Sequence, residues 1–306
     1  MLKQTRPQEV PYHLIGQQIM SDNRISIGVN GWVWTSPFDT SAVHLIKQAH
    51  EIGFTTFTVP VEEPELIDVA AIKSMVADYP MELVVSGAYG PTRDLTHDDP
   101  KFRQESLDYI GKTLSICEQL GAKHLVGPAY SAVGKRRQIS AEQKQREWEL
   151  AVKGLTQAGK MAADHGVVMG IEPLNRFETD LINTSAQVKQ LVGDINLPSV
   201  KIHLDTFHMS IEEQDVYQAI VSAGDDLVYV DTSESHRGTP GEGLVHWDKI
   251  AKALNDIKYS GACVIETFTP ACEAIADAAA IWRPLAPSQD HIAEQGFKFL
   301  SALLHS

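Results

Sequence analysis

Four times in the second half of the chain, a short apolar run ends on an acidic residue. Val167–Ile171 runs into Glu172, Val200–Leu204 into Asp205, Leu227–Val230 into Asp231, and Ala262–Ile265 into Glu266. With 40 acidic residues among 306, four such endings in succession have a chance probability on the order of a few in ten thousand. Runs rich in Val, Ile and Leu suit strands covered on both faces, as in a parallel sheet. The acids recur at intervals of 33, 26 and 35 residues, which leaves room for the crossover that parallel strands require. Acids at the carboxyl ends of successive parallel strands converge on one end of a barrel, where such folds place their chemistry.

A recurrent unit extends the pattern toward the N-terminus: amphipathic helix, glycine, β-branched run. It reads Ser41–Ile52, Gly53, Phe54–Val59, then Phe102–Leu120, Gly121, His124–Val126, then Ala141–His165, Gly166, Val167–Ile171. Glycine just past a helix supplies the left-handed cap at little steric cost. Ile25–Val29 and Glu82–Val85 complete eight strands, with further helices over Glu63–Ala77, Thr184–Val192, Ile211–Ala223, Trp247–Ile257 and Ala274–Trp282. This alternation predicts an α/β fold, a single (β/α)8 TIM barrel over residues 25–306 that ends in a helix at Asp290–Leu304. Residues 1–24 read as an N-terminal extension. An open doubly wound sheet is the alternative, although the first β–α turn, Asn30–Asp39, lacks a Gly-rich phosphate fingerprint. Val126–Lys135 reads as a longer strand-end loop, part of a lid.

Composition excludes some classes of partner. The net charge of −14 comes without a basic block, which argues against nucleic-acid binding. Cys117, Cys263 and Cys272 have no metal-ligand spacing, so a reduced cytoplasmic protein is expected. No stretch approaches the roughly 20 apolar residues of a membrane span, and residues 1–24 lack an apolar signal core.

The chemistry concentrates in four segments. Ile171–Thr184 reads I-E-P-L-N-R-F-E-T-D-L-I-N-T, with Glu172 before a proline that biases it to extended backbone. Lys201–Glu213 carries L-D-T-F-H-M-S-I-E-E, Asp231–Gly243 carries D-T-S-E-S-H-R-G, and Val264–Phe268 is V-I-E-T-F. Together, from Ile25 onward and most strongly from Glu172 to Phe268, these segments resemble the tagatose/psicose/ribulose 3-epimerase group of ketose 3-epimerases, in the xylose-isomerase-like barrel superfamily. The resemblance implies one divalent metal ion, usually Mn2+, held by Glu, Asp, His and Glu from four strand ends. Carried onto this chain, the metal positions are Glu172, Asp205, Asp231 and Glu266. Glu172 and Glu266 are also the implied catalytic acid/base pair, and Glu178, His208 and Arg237 the implied holders of substrate hydroxyls. A small-molecule sugar substrate and a homo-oligomer, dimer or tetramer, are implied as well.

Asp231 departs from that pattern, which has histidine there. An all-carboxylate quartet is hard and should favour Mg2+ or Mn2+ over softer metals. Its crowded negative charge should raise at least one carboxylate pKa unless Arg237 or His236 compensates. Ligation by Asp231 is the expectation; a water or His236 in its place, or a site drifted from ancestral chemistry, are the alternatives. The function that follows is proton abstraction and return at the carbon next to a ketone, through an enediolate, on an unphosphorylated ketose or keto-sugar acid. Rival readings are an aldose–ketose isomerase or dehydratase on the same site, a zinc-dependent nucleic-acid enzyme, and a sugar-binding protein without turnover. Blander roles stand beside the chemical ones. His203 reads as a core or interface histidine, Arg237 as a surface ion-pair partner, and Glu178 as a local cap. Trp32 and Trp34 either wall a sugar pocket or pack in the core, and Glu212–Glu213 read as a solvated helix start.

Overall fold

Eight short strands pair in parallel and in chain order, and the last returns to the first, which closes the barrel. They are β1 Ser26–Asn30, β2 Thr56–Val61, β3 Glu82–Gly87, β4 His124–Gly127, β5 Val168–Ile171, β6 Val200–Asp205, β7 Leu227–Asp231 and β8 Ala262–Ile265. All eight predicted strands form, and the open-sheet alternative is excluded. The computed structural model describes residues 25–305, so the predicted extension 1–24 lies outside the described residues.

Helices cover the outside of the barrel: α1 His44–Ile52, α2 Val69–Asp78, α3 Pro100–Leu120, α4 Ala141–Asp164, α5 Ser185–Ile195, α6 Thr206–Glu212, α7 Val216–Ala223, α8 Trp247–Asp256, α9 Glu273–Ala278 and α10 Gln289–Leu304. Gly53 and Gly121 end α1 and α3 in the left-handed conformation, with φ of 118° and 74°, as the helix–glycine–strand pattern predicts. None of the described helices is long and apolar enough to cross a membrane.

Three predicted helices are interrupted, each for a local reason. The stretch Ile211–Ala223 splits into α6 and α7, because Glu213 is extended and the Asp215 side chain caps the Tyr217 N–H. Glu63–Ala77 becomes a 3-10 turn at Pro64–Leu66 followed by α2, which Asp68 caps through the Ala71 N–H. Ala274–Trp282 shortens to α9, after which Ala280 takes a left-handed φ of 55° and Trp282 is exposed. The loop predicted as a lid is instead pinned. Residues 127–132 are buried, and Lys135 pairs with buried Asp94 at 2.9 Å and buried Glu147 at 3.3 Å.

The inside of the barrel sets the floor of the functional end. Val84, Val126, Tyr229, Ala262 and Val264 pack together there, and the Tyr229 hydroxyl hydrogen-bonds Thr58 Oγ1 at 2.7 Å. Residue alternation along β6 turns His203 to the same face as Asp205, so its ring stands edge-on to Tyr229. Gly170 on β5 makes room for it: a Cβ there would meet the His203 Cβ at 3.2 Å and Val126 Cγ1 at 3.2 Å. A branched side chain at this position would have to displace His203, Val126 or Val228. Gly170→Val is therefore expected to destabilise the fold by about 1–3 kcal/mol through overpacking. Urea unfolding with an unchanged midpoint would contradict that.

Candidate active site

Glu172, Asp205, Asp231 and Glu266 are all buried at the carboxyl ends of their strands. The register pairs Asp205 with Asp231 across β6 and β7, so those two acids sit at one level. Glu266 lies two residues beyond Val264, which is the β8 partner of Asp231. The four acids therefore converge as the strand-end pattern predicts.

Asp205, Asp231 and Glu266 each have an oxygen engaged by a neighbouring group, whereas Glu172 meets only two histidines at longer range. Asp205 caps α6, its Oδ1 accepting the Phe207 N–H at 2.8 Å, which leaves Oδ2 for the site. Arg237 Nη1 lies 2.8 Å from that Oδ2 and 3.0 Å from Glu266 Oε2. Asn30, the residue ending β1, donates to Glu266 Oε1 at 3.2 Å. His203 Nε2 is 2.8 Å from Asp231 Oδ2, and its Nδ1 is 3.7 Å from Glu172 Oε2. His208 Nε2 approaches Glu172 Oε1 at 3.5 Å and Asp205 Oδ2 at 3.7 Å.

Arg237 is aimed by a costly local backbone. Its φ of 61° is left-handed, a conformation that costs an ordinary residue on the order of 1–3 kcal/mol. The loop after β7 holds it there through the Arg237 N–H to Glu234 carbonyl bond at 2.8 Å and a bond from Thr267 Oγ1 to the Arg237 carbonyl. The buried Glu234 carboxylate in turn accepts the Gly241 and Val245 N–H groups and the Trp247 indole N–H. The guanidinium then lies 4.2 Å from the Phe207 ring centre and 5.0 Å from that of Phe268, and donates to Ser233 Oγ. Buried as it is, Arg237 is no surface ion-pair partner.

Glu178 joins at one remove. Asn175 Nδ2 donates to Glu178 Oε1 at 2.8 Å, while the Asn175 N–H donates to His208 Nδ1 at 3.0 Å. One asparagine thus ties both residues to the loop that follows β5.

The electrostatics follow from four buried acids facing one arginine. Burial first, then Glu266, Asp205 and Asp231, raise the Glu172 pKa well above the carboxylate range, with Arg237 opposing. Burial and the Asp231 charge do the same to Glu266, and burial and the Asp205 charge to Asp231. Burial holds both His203 and His208 neutral by pushing each down to about 3. Burial opposes the Arg237 charge, but Asp205 and Glu266 outweigh it and hold its pKa above the usual value.

These residues fit a divalent cation. Asp231 Oδ1 and His203 Nδ1 are buried without a hydrogen-bond partner, and buried Asp205 Oδ2 faces the Arg237 guanidinium at 2.8 Å without hydrogen-bond geometry. Two sets sharing Glu172, one with Asp205 and His208 and one with His203 and Asp231, bring their ligand atoms within 4.8 Å of one another. Carboxylate oxygens with imidazole nitrogen are ordinary donors for such an ion, and uncompensated negative charge is what it neutralises.

Several expectations need revising. His203 is not a bystander in the core: it faces into the barrel and touches the acids. His236 does not compensate their charge. It lines a cavity of about 370 Å³ beside Arg237, with Phe207, Ile281, Trp282 and Leu285. Trp32 is buried 5.7 Å from Phe268 at the edge of the site, whereas Trp34 hydrogen-bonds Asp290 away from it. Glu212 and Glu213 lie at the end of α6, not at a helix start, where they accept from Arg176 and from the Ser185 N–H. Asn30, Asn175 and Ser233 are site residues that sequence reading missed. Asn30 had a signal of the right kind, a polar residue closing a strand.

The xylose isomerase-like TIM barrel family profile matches residues 46–302. The chain is 30% identical to a ketose 3-epimerase from Arthrobacter globiformis, over 90% of this chain and 96% of that one. It is 32% identical to a D-psicose 3-epimerase from Enterocloster bolteae, over 83% and 86%. The crystal structure of a D-allulose 3-epimerase from Methylomonas sp. in complex with D-allulose superposes with a TM-score of 0.86 at 28% identity, covering 91% of this chain and 97% of that one. The chain therefore belongs to the xylose isomerase-like TIM barrel family, as a relative of its ketose 3-epimerases and an enzyme of the isomerase class.

Proposed function

We propose that this protein is a metal-dependent epimerase that inverts the carbon next to a ketone in a sugar, with Glu172 and Glu266 as the base that abstracts a proton and the acid that supplies one. The observation that carries this reading is the convergence of two buried glutamates, from the ends of β5 and β8, on one cluster with Asp205, Asp231 and Arg237. Two carboxylates that reach one carbon from different strands can act as base and acid in turn. One glutamate, ionised, removes the proton from one face and the other, protonated, delivers its own proton to the opposite face, so the mass of the sugar is unchanged and the two exchange protonation states. Arg237 and the Nε2–H of His208 hold substrate oxygens, and Glu178 steadies His208 through Asn175. Phe207, Phe268 and Trp32 give the sugar an apolar wall and exclude water from the reacting carbon.

Glu172, Asp205 and Glu266 would hold the ion, Mn2+ or Mg2+, with the fourth position supplied by the Asp231–His203 pair. When bound, the ion supplies Lewis-acid stabilisation of the negative charge that builds on the substrate oxygens. The relatives' substrates favour a free ketose.

Incubation with a panel of ketoses and Mn2+ in D2O tests the reading. Deuterium is expected at a carbon beside the ketone, in an epimer of the starting sugar. Glu172→Gln and Glu266→Gln should each lower turnover by roughly a hundred- to ten-thousand-fold. An aldose product or loss of water would mean isomerase or dehydratase chemistry, and sugar binding without exchange a protein that has lost turnover.

The pKa directions give a second prediction. Glu172, Asp231 and Glu266 are raised in the folded chain, so between the ordinary carboxylate range and their raised values the folded state binds more protons than the unfolded one. Metal-free protein therefore loses stability as pH rises through that window. Cation binding needs these groups ionised, so the Tm increment from Mn2+ should be larger at about pH 8 than at about pH 5. At 100 times Kd the ion contributes about 2.7 kcal/mol. An increment that shrinks with rising pH would contradict the placement of the ion among these acids.

A further inference from the structure

At the end of β7 this chain has Asp231 where the resembled motif has histidine, yet the site does not lack an imidazole beside that position. His203 reaches it from the neighbouring strand, its Nε2 2.8 Å from Asp231 Oδ2. With Asp231 ionised, it has no proton to donate, so in a neutral ring the hydrogen sits on Nε2 and the lone pair on Nδ1. That Nδ1 is buried, has no hydrogen-bond partner, and is 3.7 Å from Glu172 Oε2. A buried acceptor left unpaired costs about 1–3 kcal/mol.

The other imidazole of the site is already committed. His208 Nδ1 accepts the Asn175 N–H, which places its proton on Nε2; that atom faces Glu172 and Asp205 and lies 3.3 Å from Arg237 Nη2. The barrel also spends a residue on His203: Gly170 is the position at which any side chain would press against its Cβ. Ligating histidines characteristically donate their second ring N–H to a carboxylate that fixes the tautomer, and His203 with Asp231 has that form.

We infer that His203 is the nitrogen ligand of this centre, through Nδ1, and that Asp231 is its orienting carboxylate. Imidazole and carboxylate have exchanged strands, with β6 supplying the nitrogen and β7 the group that aims it. The donor set becomes Glu172, His203, Asp205 and Glu266, with one imidazole restored. This rests on the metal-site reading above.

Pulsed EPR on the full chain loaded with Mn2+ reads the assignment directly, because a nitrogen bound to the ion modulates the electron spin echo. The native protein and H208Q should both show nitrogen-14 coupling. H203Q should lose it, and should bind Mn2+ at least roughly 10–100-fold more weakly; D231N should keep it with affinity lowered by roughly 10–100-fold. Native protein that binds one Mn2+ without nitrogen coupling overturns the inference, and needs no variant to fold. Coupling that survives H203Q, or that disappears in H208Q alone, overturns it equally. Protein that binds no Mn2+ in equilibrium dialysis removes the metal-site reading as well, a failure distinct from the others.

Discussion

Like charge forced together out of water is the constraint around which the functional end of this barrel is arranged. Two unit charges 4 Å apart at an effective dielectric of 20 repel by about 4 kcal/mol, and here four carboxylates are buried at one mouth. A chain could relieve that by spreading the acids or exposing them. This one keeps them together, and supplies a single guanidinium between Asp205 and Glu266. One positive charge against four negative leaves a deficit that a divalent ion reduces, which is why the cluster reads as a cation site and not as a structural ion pair.

Holding Arg237 in place takes much of the surrounding loop. Its left-handed backbone is sustained by the Glu234 carbonyl, by Thr267, and by the network that the buried Glu234 carboxylate builds with Gly241, Val245 and Trp247. Phe207 arrives beneath the guanidinium from α6, the helix that Asp205 starts. One strand end thus provides an acid, a helix cap, an aromatic platform and His208 within four residues. Such economy is available only where strand, turn and helix follow each other directly, as at the carboxyl end of a barrel strand.

Much of this arrangement is legible in the amino-acid sequence. Eight apolar runs separated by helix-sized gaps gave the barrel, and acids closing four of them marked its working end. The helix breaks were not legible from periodicity, because Ile211–Ala223 keeps an apolar stripe across the break; the Asp215 cap decides the matter through a single side-chain bond. His203 is buried as read, but its contacts with the acids were hidden for a related reason. Within V-K-I-H-L it looks like an interruption in a run buried on both faces, yet alternation places it with Asp205, and only the neighbouring strand shows what it touches. Asn175 and Ser233 act through contacts across loops, which spacing along the chain does not encode.

A crystal structure of the full chain grown with saturating Mn2+, with anomalous data collected at the manganese edge, bears most directly on the central claim that these buried acids exist to hold one ion. The account predicts a single anomalous peak enclosed by Glu172, Asp205 and Glu266, with ligand distances of about 2.0–2.2 Å. A cage without any peak, its acids paired with Arg237 alone, would contradict it.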